Sequence, residues 1–462
     1  MYKHFLNNKK HVHFIGIGGS GMYPLAQILH GQGCKLSGSD NNETDTLQAV
    51  RALGIPVFLG QRAENIKGAD LIVYTAAISE DNPELSAARR SGAQTIERSE
   101  LLGLITSFYS QAACISGTHG KTTATSMLTQ IMLTAGMDIS AVIGGKLPII
   151  NGSGRAGNSD IMVCEACEFA DHFLNLHPDI CVILNIDADH LDYFKTLDNI
   201  IASFKKFAGN ATKAVIVNGD DENSMKAVEG LAENIDRITF GLSPENDWQA
   251  AAVQHLNGMT TAYTLMNRGV KVCTVTLNVP GEHNILNSLA AAAAAFYMNA
   301  PVEGVIKGLE SFKGAARRFD KYGEVNGITV VDDYAHHPAE ISVTLKAARK
   351  LGYKRVWAVH QPFTFTRTAA LTDDFAEALK LADKVVLTSI MGGREKNTIG
   401  IHSGDLGKKI TDCIWFEEED HDKSFSLVCD YVCQNAEQGD LIITLGCGDV
   451  NKLAKMILEQ LT

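Results

Sequence analysis

Hydrophobic residues in the first hundred positions of the chain fall into two alternating kinds of segment. Short runs rich in aliphatic and β-branched residues predict buried strands at residues 12–17, 35–39 and 71–75. Between them, apolar residues recur at helical spacing and predict helices at residues 23–30, 44–52 and 84–91. This alternation predicts a parallel sheet with helices on both faces.

The same alternation occurs twice more along the chain. A second unit begins with a strand predicted at residues 112–116, has further strands at 161–164 and 181–185, and ends near the Ala-rich helix after Asn284. A third unit has strands predicted at 328–332, 355–359, 384–388 and 441–445. We therefore predict a three-domain α/β protein. Its parts would be a Rossmann-like N-terminal domain over residues 1–106, a central phosphate-loop ATPase domain with a parallel sheet over 107–313, and a Rossmann-like C-terminal domain over 314–462.

Residues 115–123 read I-S-G-T-H-G-K-T-T and lie between a predicted buried strand and an amphipathic helix. Glycines let backbone N–H groups turn toward phosphate oxygens, Lys121 would reach the β- and γ-phosphates, and the Thr122 hydroxyl can ligate Mg²⁺. Ile115 occupies the first glycine position of the strict phosphate-loop pattern, so an ordinary strand-to-helix turn is the alternative. The context favours a nucleotide-binding loop formed by Gly117, Thr118, His119, Gly120, Lys121, Thr122 and Thr123.

A second glycine motif follows the first predicted strand. Gly16, Gly18 and Gly21 fit G-x-G-x-x-G, and Asp40 stands about 20 residues further on, where dinucleotide-binding folds place a ribose-binding acid. Taken alone, this motif indicates NAD. However, glycines report only that a pyrophosphate approaches a helix N-terminus, and a UDP-sugar also carries a pyrophosphate. A tight structural turn is a further alternative.

Composition and charge narrow the class of protein. The formal net charge is -12, which disfavours nucleic acid as a partner but permits a locally bound nucleotide. The ten cysteines lack the spacing of a disulfide framework and indicate a reducing compartment. Cys164 and Cys167 form a C-x-x-C pair without a second pair at ligand spacing, which favours buried thiols. With no signal peptide or membrane span in the sequence, we expect a cytoplasmic protein.

Five further motifs follow the phosphate loop in order. They are E-A-C-E at 165–168, N-I-D-A-D-H-L-D at 185–192, G-E-H-N-I-L-N at 281–287, R-R-F at 317–319 and D-D-Y-A-H-H-P at 332–338. This series resembles the Mur ligase family of peptidoglycan synthesis over nearly the whole chain. Within the family, G-I-G-G-S-G-M at 16–22 and the double histidine most resemble the members that add L-alanine to UDP-N-acetylmuramate.

The resemblance implies an ATP-dependent ligase that forms an acyl phosphate, then an amide, ADP and phosphate. It implies that the N-terminal domain binds the UDP-sugar through Gly16, Gly18, Gly19, Gly21, Met22 and Asp40. It implies magnesium ligands at Thr122, Glu165 and His190. His190 is the weaker candidate because Mg²⁺ prefers oxygen, and the alternative is a structural histidine beside Asp189 or Asp192.

The resemblance also assigns the nucleotide and amino-acid contacts. His283, Asn284 and Asn287 match the adenine-contacting stretch, with helix capping by Asn284 as a compatible alternative. Arg318 resembles the interdomain arginine that meets the ATP phosphates, and we expect Arg317 to be a solvated neighbour. The remaining assigned residues would lie beside ATP and the incoming amino acid: Asp333, Tyr334, His336, His337 and Arg367. Of the assigned residues, Lys121, His336, His337 and Arg367 are the candidate catalytic ones, and the sequence does not separate the two histidines.

Two departures from the family pattern fall in the C-terminal domain. Phe363 replaces the usual histidine of Q-P-H, and Arg394 lies where A-G-E is expected. Three other functions are alternatives. The chain could be an NAD-dependent oxidoreductase, a binding or scaffold protein in which ATP only drives domain closure, or a ligase that recycles a preformed peptide onto the same sugar. The expected partners are UDP-N-acetylmuramate, L-alanine and ATP, without nucleic acid or membrane, in a monomer or homodimer.

Overall fold

A computed structural model describes residues 11–76, 78–256, 259–393 and 395–462, and the chain divides into two compact units. The first unit ends at Phe312 and contains two sheets. The second unit holds residues 313–462 together with the short segments 255–261 and 278–282. Arg394 lies outside the described residues. Within the described ranges, no helix is both long and apolar enough to cross a membrane.

The first sheet has five parallel strands in the order β3-β2-β1-β4-β5. Its strands are β1 His11–Ile15, β2 Lys35–Asp40, β3 Val57–Leu59, β4 Leu71–Tyr74 and β5 Gln94–Glu97. Its helices are α1 Tyr23–Gly31, α2 Asp45–Ala52, α3 Pro83–Arg90 and α4 Arg98–Thr106, with a 3₁₀ turn at Ala63–Ile66. The strand order reverses between β1 and β4, and a crevice for ligands forms at such a switch point, outside the carboxyl ends of the strands.

The second sheet has ten strands in the order β15-β14-β13-β12-β11-β10-β6-β9-β7-β8. They are β6 Gln111–Ser116, β7 Ser140–Leu147, β8 Gly152–Arg155, β9 Ile161–Glu165, β10 Ile180–Ile183, β11 Ala214–Asn218, β12 Asp236–Gly241, β13 Trp248–His255, β14 Thr261–Asn267 and β15 Val270–Leu277. The α-helices are α5 Lys121–Thr134, α6 Leu191–Phe194, α7 Leu197–Gly209, α8 Glu222–Ala227, α9 Glu282–Tyr297 and α10 Val302–Ser311. The 3₁₀ helices are Pro148–Ile150 and Phe169–Asn175.

The core of the second sheet forms around its central parallel strands. β6 pairs with β10 on one side and β9 on the other, so the strand that leads into the phosphate loop is buried. The apolar face predicted for α5 is buried, as Met127, Leu128, Ile131 and Met132 are all inaccessible. The Ala-rich stretch of α9 is also buried, since small side chains let a helix pack closely against its neighbours.

The third sheet, in the second unit, has the order β16-β17-β21-β18-β19-β20, and only β16 is antiparallel to its neighbour. Its strands are β16 Asp320–Val325, β17 Ile328–Asp333, β18 Arg355–His360, β19 Lys384–Leu387, β20 Ile414–Trp415 and β21 Asp440–Leu445. Its helices are α11 Pro338–Arg349, α12 Phe365–Ala370, α13 Thr372–Leu379, α14 Ser403–Gly407, α15 His421–Asn435 and α16 Asn451–Leu461.

The predicted α/β class is confirmed, and the predicted strands end within two residues of the observed ones. The pattern missed short or partly exposed strands, including β3, β13 and β20. Only one of the eight residues of β13 is buried, so its sequence carries little of the alternation that marks a strand with one buried face.

Candidate active site

The phosphate loop connects β6 to α5 and needs glycine at two positions. Gly117 and Gly120 have φ values of 144° and 86°, in the region where residues with a Cβ are strained. Space is also lacking, because a Cβ on Gly117 would lie 2.9 Å from Leu184 Cβ and one on Gly120 would lie 2.4 Å from Asn287 Oδ1. The loop is therefore closely packed against the segments that follow β10 and begin α9.

Lys121, the first residue of α5, points its ammonium group into the curve of this loop. Its Nζ donates to the carbonyl oxygens of Gly117, at 2.6 Å, and Thr118, at 3.0 Å, and to Glu168 Oε1 at 2.9 Å. Glu168 is buried and Lys121 is 15% exposed. Burial alone would lower the pKa of Lys121, but the Glu168 carboxylate outweighs that effect and the pKa is raised. The loop thus holds a charged ammonium group that is paired with the Glu168 carboxylate.

Glu165 lies next to the loop because β9 pairs with β6 in a register that places Glu165 beside Ile115. Thr122 Oγ1 donates to Glu165 Oε1 at 3.0 Å, and Gly144 N donates to Glu165 Oε2 at 2.7 Å. A Cβ on Gly144 would lie 2.4 Å from Glu165 Oε1, so this carboxylate needs a glycine beside it. The structure therefore brings together two of the three predicted magnesium ligands, both of them oxygen donors.

His190, the third predicted ligand, precedes α6 with a φ of 52°. Its backbone N–H donates to Asp189 Oδ1 at 2.6 Å, its Nε2 lies 3.7 Å from Asp189 Oδ2, and its ring meets the Phe169 ring edge-on at 5.0 Å between centroids. These contacts agree with the alternative of a structural histidine beside Asp189. Among the described residues, none of the contacts that His190 makes is with Thr122 or Glu165.

No group of three or more His, Cys, Asp or Glu side chains is placed to hold a metal ion within the described part of the chain. This does not conflict with a magnesium site at Thr122 and Glu165, because Mg²⁺ in nucleotide-binding proteins takes one or two carboxylates together with substrate phosphates and water. The facing oxygens of Thr122 and Glu165 have the donor chemistry that this hard cation prefers.

Asn185 holds the phosphate loop in place, a role that sequence reasoning missed. Its Oδ1 accepts from the backbone N–H of His119 at 2.8 Å, its Nδ2 donates to the carbonyl oxygen of His119 at 3.0 Å, and its own carbonyl accepts from Thr118 N at 3.0 Å. The available signal was its position at the start of the motif at 185–192. Asn185 is a positioning residue for the loop.

Two asparagines of α9 lie buried at the start of that helix. Asn287 Nδ2 donates to Asn284 Oδ1 at 3.1 Å, and Asn287 Oδ1 faces Gly120. The helix begins at Glu282, so Asn284 lies inside its first turn, and the capping alternative stays open. His283 is exposed. The structure thus places Asn287, one of the three residues that the resemblance assigns to adenine, beside the phosphate loop.

The N-terminal glycine loop connects β1 to α1. Asp40 Oδ2 accepts from Gly18 N at 3.0 Å, and a Cβ on Gly18 would lie 2.9 Å from the same oxygen. Gly16 has a φ of 85°, which favours glycine. Met22 is buried, so its side chain packs in the core beneath the loop. Asp40 therefore shapes this loop directly, whatever it contacts in a ligand.

In the third sheet, the strand register gathers the remaining predicted residues at one edge. Asp333 and His360 both pair with Leu445, so β17, β21 and β18 end side by side. The Asp333 carboxylate accepts from Phe319 N and Ala335 N, each at 2.8 Å. Burial raises the pKa of Asp333 to about 6, against the opposing effect of the nearby Arg318.

The expectation that Arg317 is a solvated neighbour of Arg318 is wrong, because Arg317 makes three hydrogen bonds within the protein. Its Nε donates to the fully buried Asp332 at 2.9 Å, and its Nη1 and Nη2 donate to the carbonyl oxygens of Gly448, at 2.8 Å, and Gly446, at 2.5 Å. Asp332 lies on β17 beside β21, so Arg317 ties these strands together. The guanidinium groups of both arginines lie over the Tyr334 ring, at 5.0 Å from its centroid for Arg317 and 5.2 Å for Arg318.

The structure separates His336 from His337. His337 is the N-cap of α11, and its Nδ1 accepts from Ala339 N at 3.4 Å. His336 Nδ1 lies 3.1 Å from the carbonyl oxygen of Tyr334 and 3.2 Å from Glu340 Oε2. Burial lowers the pKa of His336 below its ordinary value, with Glu340 opposing and Arg367 assisting. His336 is therefore neutral at pH 7, and a neutral imidazole can accept a proton.

Arg367 lies in α12, close to the edge formed by β17 and β18. Thr364 is the N-cap of this helix; its Oγ1 accepts from Arg367 N at 3.4 Å and its φ is 62°. Phe363, the departure noted in the sequence, covers Gly393, where a Cβ would lie 3.2 Å from the ring. Gly393 has a φ of 63°, so the chain around Phe363 combines an aromatic side chain with a glycine turn.

Comparisons with known proteins agree with this geometry. The sequence model described as Mur ligase family, catalytic domain, matches residues 11–110. The model of the Mur ligase middle domain matches residues 115–295, and the model described as Mur ligase, glutamate ligase domain, matches residues 317–448. Together the three cover most of the chain, in order.

A curated relative from Acetivibrio thermocellus, UDP-N-acetylmuramate–L-alanine ligase, is 45% identical over 98% of this chain and 96% of its own length. The crystal structure of UDP-N-acetylmuramate-alanine ligase from Thermotoga maritima has a TM-score of 0.82 at 25% identity, covering 98% of this chain and 99% of that one. A murein peptide ligase from Psychrobacter arcticus has a TM-score of 0.72 at 24% identity, covering 98% of each chain, and shares the fold.

Proposed function

The chain belongs to the Mur ligase family, and from this premise we propose that it is the ATP-dependent ligase that joins L-alanine to the carboxylate of UDP-N-acetylmuramate, giving ADP and phosphate, in peptidoglycan precursor synthesis. One observation carries this conclusion. The 45% identity to a curated L-alanine ligase extends over 98% of the chain and therefore includes all three sheets and every motif at their edges.

Forming an amide from a carboxylate in water is unfavourable, so the carboxylate must first be activated. We propose that the muramoyl carboxylate attacks the γ-phosphate of ATP and forms an acyl phosphate. Lys121 would neutralise charge on the transferring group, because its raised pKa keeps the ammonium charged. Glu168 holds that ammonium in the loop, and Asn185 holds the loop itself.

Magnesium would supply further charge neutralisation at the phosphates when bound. Thr122 and Glu165 fit it, because both present oxygen and Gly144 N fixes the second carboxylate oxygen of Glu165. His190 would join them only through a change in its present contacts with Asp189 and Phe169. We therefore assign the site to Thr122 and Glu165 first.

The second step is attack of the L-alanine amine on the acyl phosphate. A base must take a proton from the amine, and we assign this role to His336, which is neutral at pH 7. His337 is a weaker candidate because its Nδ1 caps α11. Arg367 would bind the L-alanine carboxylate, since a planar guanidinium can donate two parallel hydrogen bonds to a carboxylate.

The deciding experiment measures phosphate release from ATP with UDP-N-acetylmuramate, in the presence of L-alanine, glycine, L-serine or the alanyl-glutamyl-diaminopimelate tripeptide. We expect release that requires the sugar nucleotide and is greatest with L-alanine, with the mass of one alanine residue added to the sugar nucleotide. Activity with the tripeptide alone would replace this proposal with a peptide-recycling ligase. Release without any mass gain would indicate an ATPase without ligase activity.

We also propose the cytoplasm as the site of action and a monomer or homodimer as the active form. The support for the compartment is chemical, since the proposed substrates include ATP and every cysteine of the chain is a free thiol. Cell fractionation and light scattering of the purified protein test these two points.

A further inference from the structure

Arg98 lies against the N-terminal glycine loop. It is the first residue of α4, directly after β5, at the same carboxyl edge of the first sheet as the loop. A Cβ on Gly21 would lie 3.1 Å from Arg98 Cδ, 3.3 Å from its Nε and 3.4 Å from its Nη1. The guanidinium therefore lies over the backbone of Gly21, where a side chain on that residue would displace it.

The charge of Arg98 is unmatched within the described part of the chain. Most described arginines form ion pairs with Asp or Glu, and they are Arg51, Arg89, Arg155, Arg268, Arg317, Arg349 and Arg355. The other described arginines make no side-chain hydrogen bond or ion pair with a described residue. Of these, only Arg98, Arg318 and Arg367 are partly buried, while Arg62, Arg90 and Arg237 are exposed.

This property groups Arg98 with two proposed anion-binding residues. Arg318 is the candidate partner of the ATP phosphates, and Arg367 is the candidate partner of the amino-acid carboxylate. Each lies near the carboxyl edge of a parallel sheet, where ligands bind. Partial burial of a guanidinium without an anionic partner costs free energy, so an anion from outside the chain is the expected partner.

Among the described residues, Arg98 is the only cationic side chain that lies against a glycine of this loop. The loop also carries a negative charge, because the Asp40 carboxylate accepts from Gly18 N and would repel phosphate oxygens. No side chain caps the start of α1 and its first turn holds no acidic residue, so the helix terminus leaves room for an anion. Backbone N–H groups alone would have to offset the charge of a diphosphate beside Asp40.

Arg98 also faces the second sheet. Asn175 Nδ2 donates to Oγ of Ser99, the residue that follows Arg98, at 2.9 Å. Asn175 ends the 3₁₀ segment Phe169–Asn175, whose Phe169 ring contacts His190. A diphosphate beside Arg98 would therefore have one end at the glycine loop and the other toward the segment that borders the phosphate loop.

We propose that Arg98 binds the diphosphate of the nucleotide sugar above Gly21 and thereby fixes which end of the substrate faces the phosphate loop. This inference rests on the proposed function, because it takes the glycine loop to be the nucleotide-sugar site. Arg98 supplies the cation that the loop lacks, and its planar guanidinium donates to two phosphate oxygens at once.

The test compares UDP with uridine as ligands in calorimetric titrations without ATP. Arg98→Ala should weaken UDP binding by about 10- to 100-fold and change uridine binding by less than about twofold, because only UDP carries the diphosphate. Arg98→Lys keeps the charge but loses the planar fork and should give an intermediate loss. Arg90→Ala removes an exposed, unpaired arginine from α3 of the same sheet and should leave both affinities unchanged.

Equal loss of UDP and uridine affinity in Arg98→Ala, with circular dichroism unchanged, would show that Arg98 only supports the loop and would overturn the inference. Unchanged UDP affinity would also overturn it. If the alanine variant does not fold, Arg98→Gln provides the same comparison with a longer side chain. Product formation by the wild-type enzyme with L-alanine is measured in parallel. If the wild type forms no product, the proposed function is refuted. If the wild type forms product and Arg98→Ala binds UDP as tightly as the wild type does, this inference alone is refuted.

Discussion

The first and second sheets each place a glycine-rich loop between their first strand and the helix that follows it, yet the two loops differ in chemistry. The phosphate loop holds Lys121, which is tied to Glu168, and it adjoins the oxygen pair of Thr122 and Glu165. In the glycine loop of the first sheet, the Asp40 carboxylate accepts from Gly18 N, and Arg98 reaches the loop from another helix.

Under the proposed function, this difference would separate the binding of a reacting phosphate from the binding of an unreacting one. A transferred phosphoryl group needs charge neutralisation that strengthens in the transition state, which a fixed ammonium and a metal ion can supply. A diphosphate that only anchors a substrate needs a complementary shape and one matching charge. The same strand-loop-helix geometry would then serve both tasks, and the neighbouring side chains would decide which.

The largest expected effect comes from Lys121→Ala. Removing the ammonium from the phosphate loop should lower the rate of ligation by at least about 1000-fold, while affinity for UDP-N-acetylmuramate changes by less than about twofold. Phosphate release and calorimetry measure the two quantities, and Lys205→Ala on the exposed side of α7 is the control. If a folded variant lost both ligation and UDP-N-acetylmuramate binding, the proposed division of roles between the two loops would be contradicted.

His336→Gln tests whether the chemistry at the third sheet is separate from both loops. We expect the rate to fall by about 100-fold, with nucleotide affinities unchanged, because only proton transfer from the amine is affected. Wild-type activity should rise with pH as His336 loses its proton, and the midpoint of this rise should lie below the pKa of an ordinary imidazole. The variant should lose this pH dependence. His337→Gln, which alters the cap of α11, should retain a rate within about threefold of wild type. The reverse ranking of the two variants would exchange their roles.

Gly144→Ala tests the proposed magnesium ligands separately from Lys121, because Gly144 lies beside Glu165. The added Cβ would lie 2.4 Å from Glu165 Oε1 and must displace that carboxylate. The magnesium concentration for half-maximal activity should rise by about 10-fold, a size typical of disturbed ligand orientation. Gly209→Ala meets no atom within 4 Å and is the matched control. An unchanged magnesium requirement would remove Glu165 from the proposed metal site.

Asp40→Asn should give the smallest effect. The amide oxygen of the new asparagine can still accept from Gly18 N, but the loop loses a hydrogen bond to a charged carboxylate. At the same time, the repulsion between that carboxylate and phosphate is removed. These opposing changes should keep the affinity for UDP-N-acetylmuramate within about fivefold of wild type, with the affinity for ATP unchanged. Calorimetry with both nucleotides measures this, and a large shift in ATP affinity would mean that the two loops are coupled.

Sequence patterns by themselves determined the α/β class, the alternation of central strands and helices, and the position of the phosphate loop. These features are local, because a buried strand needs a continuous apolar run, and a loop that turns around phosphate needs Gly117 and Gly120 at left-handed φ angles. The predicted division into three domains at 106/107 and 313/314 stays a prediction, as do the ligand roles of the individual residues.

Only the tertiary structure decided which side chains meet. Arg317 and Arg318 are adjacent and chemically identical, and both lie over the Tyr334 ring. Strand pairing nevertheless gives only Arg317 a buried carboxylate and two carbonyl oxygens as hydrogen-bond partners. His336 and His337 separate in the same way, because the start of α11 engages only His337 as its cap. Asn185 is marked in the sequence only by its position in the motif at 185–192, and Arg98 is not marked at all, since their importance comes from the loops that the fold brings beside them. Contacts between residues distant in sequence depend on strand order and register, which local hydrophobic periodicity does not encode.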